Sequence, residues 1–274
     1  KAPKARPPKL FKYRSMSTDD EQARVKDILL NNRLYFPTRS GFNDPFDCRI
    51  PVTWDNPTPD EVEGFLTRVF NTNPPPGWKK GSVKEWLGLL RNKDEFASLM
   101  RLDTQKAMDL EMDAIRIMCL CERPDDILMW SHYADGHKGL CLEFSKQVID
   151  ANYYCGKVTY SNDYLSFKEF NKAMDATHED NYIVMGECLL FRKSKHWDYE
   201  CEWRIIYPDR IEPGGNRLLD YPPQMLTGII FGCEMSEDDK KTIREMIRKR
   251  THKTRLFQAR KKDDEFALDI IEID

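Results

Sequence analysis

Two spacings of apolar residues divide this chain into strands and helices. Apolar and polar residues alternate over 9–15 (Lys-Leu-Phe-Lys-Tyr-Arg-Ser), which predicts a first strand. Ser17 or Thr18 then caps a helix, Glu21 is placed to complete a capping box, and Val25, Ile28 and Leu29 supply the apolar face. Leu34-Tyr35-Phe36 is a second strand, ended by Pro37. From about Thr58 to Asp113 the texture turns helical, with helical spacing over 59–70, 83–90 and 95–112. The stretch 71–81 breaks it, because its consecutive prolines cannot sit inside a helix.

Strand-like runs resume at 115–121, 139–144 and 156–160, and 166–190 is mainly helical. The run 193–207 reads as extended: period two puts Glu200, Glu202 and Arg204 on one face and Cys201, Trp203 and Ile205 on the other. A solvated edge strand accounts for that pattern without function. Thr227–Cys233 is a buried strand, Ser236 with Asp239 starts a helix through about Arg250, and 255–259 with 266–271 closes the chain as a strand pair. These elements predict a single α+β domain over 9–274. It has a mixed, mostly antiparallel sheet core with flanking helices, and 58–113 is an inserted helical segment. Residues 1–8, basic and Pro-rich, are expected to be a disordered tail or a tag remnant.

Composition narrows the class. The 274 residues are 40% hydrophobic and 32% charged, which fits a folded domain. A net charge of −3 demands neither a nucleic acid nor a membrane as partner. No apolar run approaches the ~20 residues of a membrane span, and the N-terminal stretch lacks the apolar core of a secretory signal. The eight cysteines are scattered and form no CxxC pair, so free thiols in a reducing cytoplasm are expected, with no metal site. His132 and His137 are five apart, the wrong spacing for metal ligands on one helix face.

Candidate chemistry concentrates in two stretches. Residues 128–139 (Leu-Met-Trp-Ser-His-Tyr-Ala-Asp-Gly-His-Lys-Gly) mix aromatics, histidines, a serine and glycines in a way core segments seldom do, which suits one wall of a ligand pocket. In it Ser131 and Tyr133 are the expected ligand contacts. The second stretch, 193–207, carries Lys195, His196, Trp197, Tyr199, Glu200, Glu202 and Arg204. Between 240 and 262 there are eleven Lys and Arg against one Glu, a basic segment suited to a phosphate-rich partner. Asn43-Asp44-Pro45 is turn chemistry, read as a rigid turn with Phe42 and Phe46 packed beneath it.

Four motifs together, Tyr13-Arg14-Ser15, Phe42–Asp47, Met129–Gly139 and Glu200–Arg204, resemble a widespread bacterial family known only as a domain of unknown function. The order arginine (Arg14), serine (Ser131), Glu-x-Glu (Glu200, Glu202) also resembles that of mono-ADP-ribosyltransferases. The resemblance implies an enzyme that uses NAD to modify a nucleic-acid or protein acceptor, as a bacterial phage-defence or toxin effector. Arg14 would hold the pyrophosphate, and Tyr133 or Trp130 would face the nicotinamide. Glu202 would stabilise the developing ribosyl cation, and Glu200 would orient or deprotonate the acceptor. Tyr13, Asn43, His132 and Arg204 complete the expected NAD-binding set. The usual Ser-Thr-Ser is absent, since His132 and Tyr133 follow Ser131. The competing reading is a non-catalytic nucleic-acid-binding module of a defence or stress system, acting through 240–262. A third, hydrolysis with His132 or His196 as base, lacks a nucleophile motif or metal cluster to complete it.

Overall fold

The computed structural model describes residues 8–49, 53, 57–72, 112–176, 189–207 and 215–273. The basic tail before Pro8, the Pro-rich stretch beyond Thr72, the helical spacing over 83–90 and most of that over 95–112 lie outside these residues. The chain forms two compact units, one from the described residues of 1–42, 114–160 and 195–274, the other from those of 43–113 and 161–194.

The first unit is an α+β fold on one eight-stranded sheet. Its strands are β1 (Lys9–Arg14), β3 (Arg116–Cys121), β4 (Leu140–Ser145), β5 (Tyr154–Lys157), β8 (Glu202–Tyr207), β10 (Leu226–Phe231), β11 (Arg255–Lys261) and β12 (Leu268–Ile273). Their order is β12-β11-β10-β4-β1-β3-β8-β5, mostly antiparallel with β10 and β11 parallel. Short strands β2 (Arg33–Tyr35) and β9 (Leu218–Asp220) pair separately. Two further strands among the described residues are β6 (Thr159–Ser161) and β7 (Arg192–Ser194), the latter in the second unit.

Directly opposed residues of an antiparallel pair share a sheet face, so the register sorts the side chains. Leu10, Leu140, Leu142, Phe144, Leu120, Trp203 and Ile205 belong to a large core that also takes in Val25, Ile28 and Leu29 of helix α1 (Asp19–Asn31). Phe11, Tyr13, Cys121, Cys141 and Ile230 face the other way, into a smaller core with Met129 and Trp130. Helix α1 begins at the expected capping box: Thr18 accepts from the Glu21 amide and Glu21 accepts from the Thr18 amide.

In the second unit, helix α2 (Pro59–Thr72) and helix α5 (Phe167–Ala176) meet through Phe65, whose ring lies 5.4 Å from Phe167 and 5.8 Å from Phe170. Thr53 bridges to Ser166 and anchors the start of α5. The Asn-Asp-Pro turn forms, with the Asp44 carboxylate accepting from the Phe46 amide at 2.9 Å. Phe46 does not pack beneath it: this ring is 63% exposed.

Candidate functional site

The stretch 128–139 is only half loop. Asp126 caps helix α3 (Ile127–Tyr133) by accepting from the amides of Leu128 and Met129, so the first part of the expected pocket wall is helical. Trp130 is fully buried, donates from Nε1 to the Pro124 carbonyl at 2.8 Å and meets the Tyr13 ring edge-on at 5.2 Å. Tyr13 donates to the Arg123 carbonyl at 2.8 Å. Each ring thus covers the smaller core while a backbone carbonyl satisfies its polar tip. Trp130 and Tyr13 pack the core; they do not line a cleft.

The loop after α3 holds Asp135, Gly136 and His137 at φ of 50°, 56° and 70°. It is clasped by backbone on both sides. A Cβ on Gly139 would sit 2.1 Å from the Arg14 carbonyl oxygen, and one on Gly232 would sit 2.0 Å from the His137 carbonyl oxygen. His137 stacks on Trp130 with rings 12° from parallel, and its Nε2 lies 3.3 Å from Ser131 Oγ. Burial, then the charge of Lys261, lowers its pKa and favours the neutral ring. Ser131 gives its proton to the Ile127 carbonyl at 2.8 Å, so the hydroxyl proton is engaged by backbone and not by the His137 ring.

The second stretch is likewise broken in two. Residues Lys195–Glu200 form a 3-10 turn, Cys201 sits at φ 44°, and only then does β8 begin at Glu202. The left-handed residue ends the period-two pattern, so Glu200 is not on the strand with Glu202 and Arg204. Nor is β8 a solvated edge. It lies between β3 and β5, and Glu202 and Arg204 are buried at 2% and 0% exposure. Two residues apart on one face, they form a forked pair: Arg204 Nε donates to Glu202 Oε1 at 2.8 Å and a terminal nitrogen to Oε2 at 3.0 Å. The Phe42 ring lies 5.7 Å from the Arg204 guanidinium carbon. Alternating opposite charges in a strand were the signal for this lock; only the register shows that both are inside.

Glu200 is buried too, and Tyr133 donates its hydroxyl proton to Glu200 Oε1 at 2.6 Å. Three more rings join this contact. His132 lies 6.3 Å from Tyr133 and 6.3 Å from Tyr199, and Tyr199 lies 6.1 Å from Trp197. His132 is exposed, and Tyr133, Trp197 and Tyr199 are partly so. The structure therefore joins the two stretches at Glu200 and Tyr133. Trp197 and Tyr199 belong to this cluster, although the expected NAD-binding set omitted them.

Arg14 is elsewhere. It opposes Leu140 on β4, whereas Glu202 opposes Cys121 on β3 and Cys121 shares its face with Phe11. Alternation along β1 then puts Arg14 and Glu202 on opposite faces of the sheet. Ser131 lies on α3, over the smaller core, and its hydroxyl is already committed. The three residues do not converge. Asn43 is an exposed residue of the second unit.

In the basic segment, helix α6 (Glu237–Ile247) is capped by Ser236. Arg250 donates to the Leu29 carbonyl at 2.8 Å, to Asn32 at 3.1 Å and to the Pro223 carbonyl at 3.1 Å, closing the C-terminal end of α1. Arg255 pairs with Glu143, and Lys240 with Glu237. Among the described residues, Lys241, Arg248, Lys249, Lys253 and Arg260 have no ion-pair partner and all are exposed or partly exposed.

Among the described residues no group of three or more His, Cys, Asp or Glu side chains is arranged to hold a metal ion, and no helix is long and apolar enough to cross a membrane. The seven described cysteines form no disulfide with one another. A family model described as a protein of unknown function (DUF2971) matches residues 129–205, from α3 to within β8. No curated protein and no solved structure matches the chain.

Proposed function

We propose that the cluster around Glu200 binds the cationic nicotinamide ring of NAD and that the chain is an ADP-ribosyltransferase-like enzyme in which Glu200, not Glu202, is the working carboxylate. The observation that carries this reading is the buried Glu200 carboxylate held by Tyr133 beside the rings of His132, Tyr199 and Trp197. Aromatic faces attract a pyridinium, and a carboxylate in a water-poor site stabilises positive charge as it spreads onto the ribose. The bond from the ribose C1′ to the nicotinamide nitrogen breaks, its electron pair leaves with neutral nicotinamide, and an acceptor nucleophile forms the new bond to C1′. The acceptor's proton passes to solvent or to Glu200. Glu202 is occupied by Arg204, and Arg14 lies across the sheet; neither takes part.

The test is nicotinamide release from NAD by the purified chain, offered protein and nucleic-acid acceptors. Glu200→Gln is expected to abolish release while retaining the wild-type circular dichroism spectrum, and Tyr133→Phe to reduce it. A wild type that releases none with any acceptor overturns the reading.

One observation favours a second reading. A groove of about 620 Å³ beside α6 is lined by Arg244, Gln258 and Arg260 and by the ion pairs Lys240–Glu237 and Lys261–Glu234, near the exposed cations Lys241, Arg248, Lys249 and Lys253. Nucleic-acid binding there would weaken steeply with salt, and Lys249→Glu with Lys253→Glu would weaken it further while Glu200→Gln would not. Arg250 has no share in it, because its donors already serve backbone carbonyls and Asn32.

A further inference from the structure

The hairpin that joins β11 to β12 presents an aromatic ring to solvent on an ordered turn. The Lys262 amide donates to the Ala267 carbonyl at 3.1 Å and the Ala267 amide to the Glu265 carbonyl at 2.8 Å. The Lys262 ammonium pairs with Glu265 and Asp269 across the same turn. At this tip Phe266 is 99% exposed. A phenylalanine standing clear of its own fold gains none of the burial that usually places it in a core. Its neighbours Asp263 and Asp264 are exposed acids with no ion-pair partner among the described residues.

The groove beside α6 opens next to this tip. It lies where β10 and β11 end: Cys233 and Glu234 follow β10, Arg260 and Lys261 close β11, and the hairpin turn begins at the next residue. Its volume of about 620 Å³ is ample for an aromatic side chain. The acids that line it, Glu234 and Glu237, are taken up by Lys261 and Lys240. Two arginines that line it have no acid: Arg244, whose guanidinium carbon lies 5.3 Å from the Phe231 ring centroid, and the exposed Arg260. Lys241, next to the groove, is exposed and unpaired as well. Guanidinium planes take an aromatic face, and these cations without acids match the tip's acids without cations. Phe266 does not enter the groove of its own chain, being fully exposed.

We infer that the chain forms a two-fold dimer in which the Phe266 tip of each copy seats in the α6 groove of the other. Tip and groove lie side by side at one end of the sheet, so a two-fold axis between two such ends forms both contacts at once and closes the pair. Asp263 and Asp264 of one copy then face the unpaired cations around the groove of the other. The inference is independent of the reading proposed for Glu200; the second copy's tip and a nucleic acid compete for the groove.

The test is analytical ultracentrifugation of the full chain over a concentration series at low and at high salt. Wild type is expected to dimerise, less tightly as sodium chloride screens the charges. Phe266→Ser is expected to weaken the dimer roughly ten-fold or more, the loss of a central aromatic anchor. Asp263→Lys with Asp264→Lys, and separately Lys241→Glu with Arg260→Glu, should each be monomeric. An equimolar mixture of these two double variants should dimerise again, because every tip in the mixed pair meets a groove of opposite charge. All the substituted positions are exposed, so each variant should keep the wild-type circular dichroism spectrum. A wild type that stays monomeric up to about 100 μM in low salt overturns the inference. A dimer that Phe266→Ser leaves unchanged, or a mixture of the charge-reversed chains that stays monomeric, overturns it equally, since the contact then lies elsewhere.

Discussion

The two faces of one sheet treat buried charge in opposite ways. On the face of the smaller core each buried acid has its donors. Glu143 accepts from Lys9 at 2.7 Å, Arg255 at 2.8 Å and Thr227 at 2.8 Å, Glu202 is forked by Arg204, and Glu200 holds the Tyr133 proton. At the start of α1 on the other face, Arg14 is only partly buried, and its Nε has no hydrogen-bond partner. The first arrangement is closed chemistry, in which the charges satisfy one another and rigidify the strand that carries them. The second is open.

The largest test of this contrast is Arg204→Met. It strands the Glu202 carboxylate in the interior and is expected to destabilise the chain by about 3–5 kcal/mol in urea unfolding, with most of the loss recovered when Glu202→Leu is added. A small loss would mean that the closed face is not closed. Gly139→Ala presses a methyl group into the Arg14 carbonyl and should cost about 1–3 kcal/mol by the same measurement, because the atom it meets is backbone. Tyr13→Phe, which leaves the Arg123 carbonyl the Cys121 thiol as its remaining side-chain donor, is expected to cost about 1 kcal/mol.

The open corner should also appear in pH dependence. Lys12, two residues before Arg14, reaches the Cys119 carbonyl at 2.7 Å, and burial, then the charge of Arg14, lowers its pKa to about 7. It titrates at its ordinary 10.5 when unfolded, so between these values the unfolded chain binds more protons. Stability therefore gains a positive slope as pH rises from about 7 to 9, and Lys12→Met removes that contribution. An unchanged slope in the variant would place the Lys12 amine in a wetter setting than its contacts indicate. The smallest effect is expected at the exposed pair Arg123 and Asp125: Asp125→Ala should change stability by less than about 1 kcal/mol.

Much of this molecule was legible in the chain itself. The capping box at Thr18 and Glu21, the strands at 9–14 and 226–231 and the α+β class with a mostly antiparallel sheet follow from local rules, because caps and alternation depend on neighbours in sequence. Local pattern failed where one residue changed its backbone region. Cys201 at φ 44° separates Glu200 from the strand that period two assigned it to, and no spacing rule foresees a left-handed cysteine. It failed again at Trp130, whose mixed neighbourhood resembles a ligand wall but whose indole fills the core.

Residue type and spacing determined which side chains are available for chemistry: Arg14, Ser131, Glu200, Glu202. Only the tertiary structure decided which of them meet. Strand register assigns each residue to a face, and a shift or break of one residue reverses the assignment. That is why Arg14 and Glu202, both on strands and separated by 188 positions in the chain, end on opposite sides of the sheet, while Tyr133 donates a hydrogen bond to Glu200.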